Sequence, residues 1–292
     1  MNAAPAAGPP RSRALAGMGF MLSATLAFAA MGACFRLALE DGLPLALVPF
    51  ARGAFTLLIL SPWLLRQGPS ALATRRPKGH LARGAAGIAS FMLYLLAVHW
   101  MPLADAIAIM QARPLWALPL AVLLLGERLR RERVLAALLG FAGVLAIARP
   151  DGDFSFGAVA AVGSGITGAL VIICMKRLGG TEPGPRIIAW YAILSILVWG
   201  PVSALFWRTP SLLALALLLA GSAAAVLGDM LMQAAARRAE IGLLAPVEYV
   251  GIPASAVIGF LLFAEQPGWR LAIGTGLMLA ATVWLARGAR RG

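Results

Sequence analysis

Four ionisable side chains lie inside long apolar stretches of the chain: Arg52, Arg113, Asp229 and Glu248. A charge at the centre of a membrane helix costs about 2.5–3.5 kcal/mol on insertion scales, so each needs compensation. One reading is a polar cavity that grips a zwitterion, the arginines attracting a carboxylate and the acids an amine. The other is two internal pairs that pin helices together, with Arg52 either a cavity charge or a structural one. Polar and aromatic residues gather at the same depth. Gln111, Arg113 and Trp116 fall within less than two helical turns, Glu248 adjoins Tyr249, and Asp229 and Gln233 share one face at i and i+4. Tyr94 lies mid-stretch in a third apolar run. Aromatics beside polar groups suit metabolites with apolar or aromatic parts, through stacking and cation–π contacts. Pro114 and Pro253 free backbone carbonyls beside this set, which makes them either hinges or static kinks.

The elements that must position these residues follow from composition. The 292-residue chain is 61% hydrophobic and 13% charged, with a mean hydropathy of +0.85. A soluble domain carries about 25% charged residues, so the chain reads as an all-α integral membrane protein. Ten apolar stretches of membrane-spanning character run over residues 14–38, 44–65, 81–101, 103–125, 133–149, 156–175, 187–207, 211–235, 240–263 and 269–286. Their unbroken apolar character excludes a β-barrel, whose strands alternate. The first is too long for the apolar region of a signal peptide and is read as a retained helix. Trp63, Trp100, Trp207 and Trp269 stand at stretch ends, as an interfacial belt does.

The net charge of +13 is a matter of topology. Most Lys and Arg fall on one set of alternate loops: Arg11 and Arg13; Arg66, Arg75, Arg76, Lys78 and Arg83; Arg128 to Arg133; Lys176, Arg177 and Arg186; Arg237 and Arg238; Arg287, Arg290 and Arg291. By the positive-inside rule both termini face the cytoplasm, and nucleic acid is not expected as a partner. His80 and His99 fall at opposite membrane faces, and Cys34 lies toward the outer end of the first stretch while Cys174 lies toward the inner end of the sixth, so neither a metal nor a disulfide is expected. Residues 163–168, GSGITG, match the GxGxxG pattern but follow no strand, and close helix packing explains them. With no nucleophile motif or triad, no catalytic residue, cofactor or enzymatic activity is expected. An enzyme acting on lipid intermediates would need clustered His, Asp or Glu at one interface, where this chain clusters only Arg.

A repeat organises the stretches. ADAIAIMQARPLWALPLAVLLLGE (104–127) aligns with EIGLLAPVEYVGIPASAVIGFLLFAE (240–265), each with a proline before an apolar run that ends in Glu; Cys34-Phe35-Arg36 likewise matches Cys174-Met175-Lys176. Each unit holds five spans, so the second is inverted. The expected division is a tail at 1–13, a first unit at 14–149, a second at 156–286 and a tail at 287–292. Inverted repeats are a recurrent transporter design with the site at their interface.

The two Pro-to-Glu helices and their Gly-bearing successors, GERLRRERVLAALLGFAGVLAIA (126–148) and FAEQPGWRLAIGTGLMLAA (263–281), together with Arg52, resemble the drug/metabolite transporter superfamily, specifically its ten-helix EamA-type members. The resemblance implies a central cavity, peripheral fifth and tenth helices, and transport of small metabolites, often amino acid export. Smaller drug pumps of that superfamily use a Glu in the first helix, and neither the first nor the sixth stretch here has a mid-span carboxylate. The expectation is an inner-membrane carrier exporting amino acids, aromatic or broad-range, or similar small metabolites by alternating access. Uptake or exchange of a larger metabolite, such as a nucleotide-derived cofactor or sugar, and drug efflux are the alternatives. The expected partners are a small-molecule substrate and the lipid bilayer; a monomer is compatible with the sequence. The binding set is Tyr94, Gln111, Arg113, Trp116, Asp229, Gln233, Glu248 and Tyr249.

Overall fold

The computed structural model describes residues 11–113, 116, 120, 131–148, 155–238, 247 and 250–289. Within them are ten α-helices: α1 Arg11–Glu40, α2 Leu47–Gln67, α3 Pro77–Trp100, α4 Leu103–Met110, α5 Arg131–Ala148, α6 Phe156–Gly179, α7 Gly184–Leu205, α8 Leu212–Ala236, α9 Gly251–Phe263 and α10 Trp269–Ala289. Six are long and apolar enough to cross a membrane: α1, α2, α3, α6, α7 and α8. The protein is a multi-pass membrane protein. Leu65, Leu205 and Leu212 are about four-fifths exposed, as side chains facing lipid must be.

Helix starts follow proline and cap chemistry. Pro77 opens α3, Pro102 and Pro183 precede α4 and α7, and the Ser211 hydroxyl accepts from the Ala214 N–H to cap α8. Because Pro77 preorganises the first turn, α3 begins there and not at residue 81. That shift draws His80 into the helix and moves Arg83 from the edge of the stretch to the second turn of α3; both are buried. Arg83 is therefore not the loop charge that the sequence suggests.

Packing is intimate where side chains are small. A β-carbon on Gly143 of α5 or on Gly274 of α10 would stand 2.6 Å from the carbonyl oxygen of the other glycine, so the two backbones touch. On α8, Gly221 and Gly228 receive the rings of Phe35 and Phe28 from α1. Besides these pairs, α3 packs on α6, α2 on α7 and α8, α4 on α9 and α6, α3 on α7, and α9 on α1. The Ser195 and Ser203 hydroxyls of α7 donate to the Pro49 and Ala46 carbonyls at the start of α2, at 3.0 and 2.9 Å. The core runs through Phe35, Val48, Leu95, Val98, Leu103 and Ile109. After α9 the chain turns at Ala264, which has a left-handed φ of 52°. Glu265 then accepts from the Leu103 N–H at 3.0 Å, capping α4, and pairs with Arg36. The Glu that closes the second Pro-to-Glu run thus ties three helices together.

Candidate functional site

Eight helices, α1 to α4 and α6 to α9, enclose a cavity of about 160 Å³ together with the residues that follow α4; no described residue of α5 or α10 lines it. The backbone is broken where it meets this cavity. Helix α4 stops at Met110, and Gln111 and Ala112 form a turn immediately before residue 113. Pro253 is the third residue of α9, where a missing N–H has no intrahelical acceptor to lose. Irregular backbone at membrane depth is tolerated where it lines a polar cavity, and both interruptions fall there.

Arg52 of α2 and Asp229 of α8 meet across the cavity wall, Nη2 to Oδ2 at 3.7 Å, and are 9% and 8% exposed. The Arg52 Nη1 also donates to the Tyr191 hydroxyl at 3.3 Å, and its guanidinium lies 4.1 Å from the centre of the Phe91 ring. Arg52 is thus held by a carboxylate, a phenol and a π face. Of the two readings of the buried charges, this pair takes the form of a helix pin, although both residues line the cavity.

Arg113 and Arg83 are held differently. Arg113 Nη2 donates to the Gln111 carbonyl oxygen of the side chain at 3.1 Å, while its Nε has no hydrogen-bond partner. Arg83 is 6% exposed, lies 4.5 Å from the Tyr191 ring centre, and leaves Nε and Nη1 without acceptors. The Tyr191 ring therefore carries two guanidiniums, since Arg52 also approaches it at 5.2 Å. Two glycines make the room. A β-carbon on Gly87 would stand 2.7 Å from Arg83 Nη1, and one on Gly168 would stand 2.9 Å from Arg113 Cδ. The Tyr94 hydroxyl, buried against Gly32, likewise has no partner.

Of the residues singled out from the sequence, Tyr94, Gln111, Arg113, Asp229 and Arg52 come together around the cavity. Gln233 does not line it; one turn beyond Asp229, it packs on Gly184 at the start of α7. Trp116 faces away as well, its indole against Gly165 and edge-on to Phe141 at 5.8 Å. Pro114, Glu248 and Tyr249 lie outside the described residues. Arg83, Phe91 and Tyr191 were missed. The chain has three tyrosines, and Tyr191, like Tyr94, sits inside an apolar stretch and not at its end; that was a legible signal. Arg83 carried none, because its distance from the loop depended on where α3 starts.

A cavity with arginines and aromatics set in a largely apolar wall, enclosed by helices that need a bilayer around them, is what a membrane transporter requires. The EamA-like transporter family matches this chain over residues 15–149. That match covers the first part of the chain, and the relatives that align over most of it are named as transporters, in keeping with the resemblance read from the sequence. Among these relatives are a riboflavin transporter of Rhizobium johnstonii, 28% identical over 96% of this chain and 94% of that protein, and an S-adenosylmethionine uptake transporter of Rickettsia bellii, 28% identical over 82% of each chain. A pseudopaline exporter of Pseudomonas aeruginosa is 29% identical over 90% of this chain and 93% of its own. A crystal structure of a protein shares the fold, with a TM-score of 0.61 at 22% identity, covering 96% of this chain and 98% of that one.

Proposed function

We propose that this protein carries small polar metabolites across the bacterial cytoplasmic membrane by alternating access, two inverted five-helix units (14–149 and 156–286) rocking about the cavity with both termini in the cytoplasm. The observation that carries this reading is the cavity itself, walled by helices of both units and fitted with buried arginines that have unused donors. A two-unit organisation is supported by the larger helix contacts, and an odd number of spans per unit makes the second inverted. Exchanging each helix of the first five with the one five places later turns α1–α8 into α6–α3, α1–α9 into α6–α4 and α2–α8 into α7–α3. The pairs α2–α7, α4–α9 and α5–α10 map onto themselves. A pseudo-twofold axis produces that pattern. The family match over 15–149 agrees with the extent of the first unit.

The first reading of the cargo is an amino acid or similar small metabolite moved outward. Uptake of a nucleotide-derived cofactor is the second, favoured by the riboflavin and S-adenosylmethionine relatives. Counterflow separates them. Proteoliposomes loaded with an unlabelled compound should accumulate the same compound in labelled form, and amino acids, riboflavin and S-adenosylmethionine are the first to try. Failure of every compound that binds the purified protein to exchange would refute carriage.

A further inference from the structure

We propose that the cavity takes a net-anionic metabolite, a short dicarboxylate or a phosphate monoester, gripped by Arg83 and Arg113 while Arg52 remains paired with Asp229. This deepens the carrier reading and rests on it. The charge balance is the first ground. Among the described residues the lining holds three guanidiniums, Arg52, Arg83 and Arg113, and one carboxylate, Asp229, which lies against Arg52. Asp229 acts on Arg83 too, so among the described residues one carboxylate serves two of three guanidiniums, and a zwitterion adds no net charge to the balance. Buried charge without a counter-charge is unfavourable in a low-dielectric surround, and two like charges sharing one void raise the cost further.

Geometry is the second ground. Arg83 is more than nine-tenths buried, lines the void and has two nitrogens without acceptors; Arg113 has one. Neither direction is incidental. Gly87, one turn along α3 from Arg83, leaves the space into which Nη1 folds, and Gly168 of α6 leaves the space for the Arg113 stem. The levels of the two side chains can be read along α3. Arg83 Nη1 reaches the level of Gly87, and Arg113 passes Gly168 beside Ser90. Three residues of helix are a rise of about 4.5 Å, so the Arg83 head and the Arg113 stem stand at neighbouring levels of the same void, a spacing suited to the anionic groups of a short molecule. The planar fork of Arg suits bidentate recognition of such groups. The free Tyr94 hydroxyl and the Phe91 face offer a hydrogen bond and an apolar wall for the remainder of the molecule.

The test is ligand-dependent thermal unfolding of the purified full-length protein in detergent. The probes are succinate and glycerol 3-phosphate, set against succinamide, glycerol and phenylalanine. Succinate and glycerol 3-phosphate should raise the midpoint, and their uncharged counterparts should not. Arg83→Gln and Arg113→Gln should each weaken that binding at least tenfold, whereas Arg208→Gln, whose guanidinium holds the Gly42 carbonyl between α1 and α2, should bind as the unaltered protein does. Equal stabilisation by succinamide or phenylalanine overturns the proposal on the unaltered protein alone, whatever the variants do. Stabilisation by added phosphatidylglycerol and by neither soluble anion overturns it too, since the anion would then be a lipid headgroup. Counterflow keeps the two layers apart. Anions that bind without exchanging refute carriage and leave the site standing, and neutral amino acids that exchange while no anion binds refute the site and leave carriage standing.

Discussion

Removing one half of the Arg52–Asp229 pair tests whether it holds helices or waits for substrate. At 3.7 Å and an effective dielectric constant near 20, the attraction between the charges is about 4 kcal/mol. Asp229→Asn leaves Arg52 with the Tyr191 hydroxyl and the Phe91 ring, and a desolvated cation–π contact is worth about 2 kcal/mol. That contact is present before and after the change and offsets none of the loss, so Asp229→Asn is expected to cost about 3–4 kcal/mol, within the roughly 3–5 kcal/mol seen when a buried pair is broken. Arg52→Gln leaves the carboxylate with Arg83, which also acts on Asp229, and should cost somewhat less. The double variant strands neither charge, so it should lose little more than either single one, giving a coupling of about 2–3 kcal/mol. Reversible unfolding in mixed detergent and SDS micelles measures all four proteins. Losses that add to within about 0.5 kcal/mol would mean that the two residues do not act as a pair, and the pin reading would fall.

Three further outcomes follow from contacts away from the cavity. Gly143→Ala puts a β-carbon 2.6 Å from the Gly274 carbonyl oxygen; overpacking of this kind costs about 1–3 kcal/mol, and an unchanged melting midpoint would contradict the α5–α10 contact. Glu265→Gln keeps an acceptor for the Leu103 N–H but loses the charge facing Arg36, so a loss of about 1–2 kcal/mol is expected, larger than for Glu40→Gln at the exposed end of the same cluster. Glu182, in the turn between α6 and α7, concerns pH. Burial pushes its carboxyl up, but hydrogen bonds donated by Thr74 and Arg186, and the Arg186 charge, outweigh burial and hold it below the usual carboxylate value. A carboxyl whose value is depressed on folding contributes stability above the unfolded value, about 4.3, and loses it as pH falls through the folded one. The unaltered protein should therefore lose stability more steeply than Glu182→Gln below about pH 4, and parallel melting curves for the two would refute the assignment.

Much of the architecture was legible because a bilayer is a demanding solvent. A span must be long, apolar and internally hydrogen-bonded, so eight of the ten stretches match helices within a few residues, whereas 103–125 and 240–263 are described as helix only over Leu103–Met110 and Gly251–Phe263; six helices are of span length, and Pro102 and Pro183 mark two of the starts. The same demand makes any ionisable group in a span conspicuous, which is why Arg52, Arg113 and Asp229 could be picked out unaided. Position along a helix is a property of the chain alone. Which face turns to which neighbour is not. Gln233 shares a face with Asp229, yet one turn further along α8 that face has passed the cavity and meets Gly184. The sequence left Arg52 as either a cavity or a structural charge and put Arg113 in the binding set; among the described residues it is Arg52 that meets a carboxylate, while Arg113 meets the Gln111 amide. Arg83 looked like loop charge until Pro77 set the start of α3 and Gly87 left room for its head group. Hydropathy decided what enters the membrane, whereas crossing angles, helix rotation and the absence of a few β-carbons decided which charges meet, because those depend on how neighbouring surfaces fit and not on any one segment.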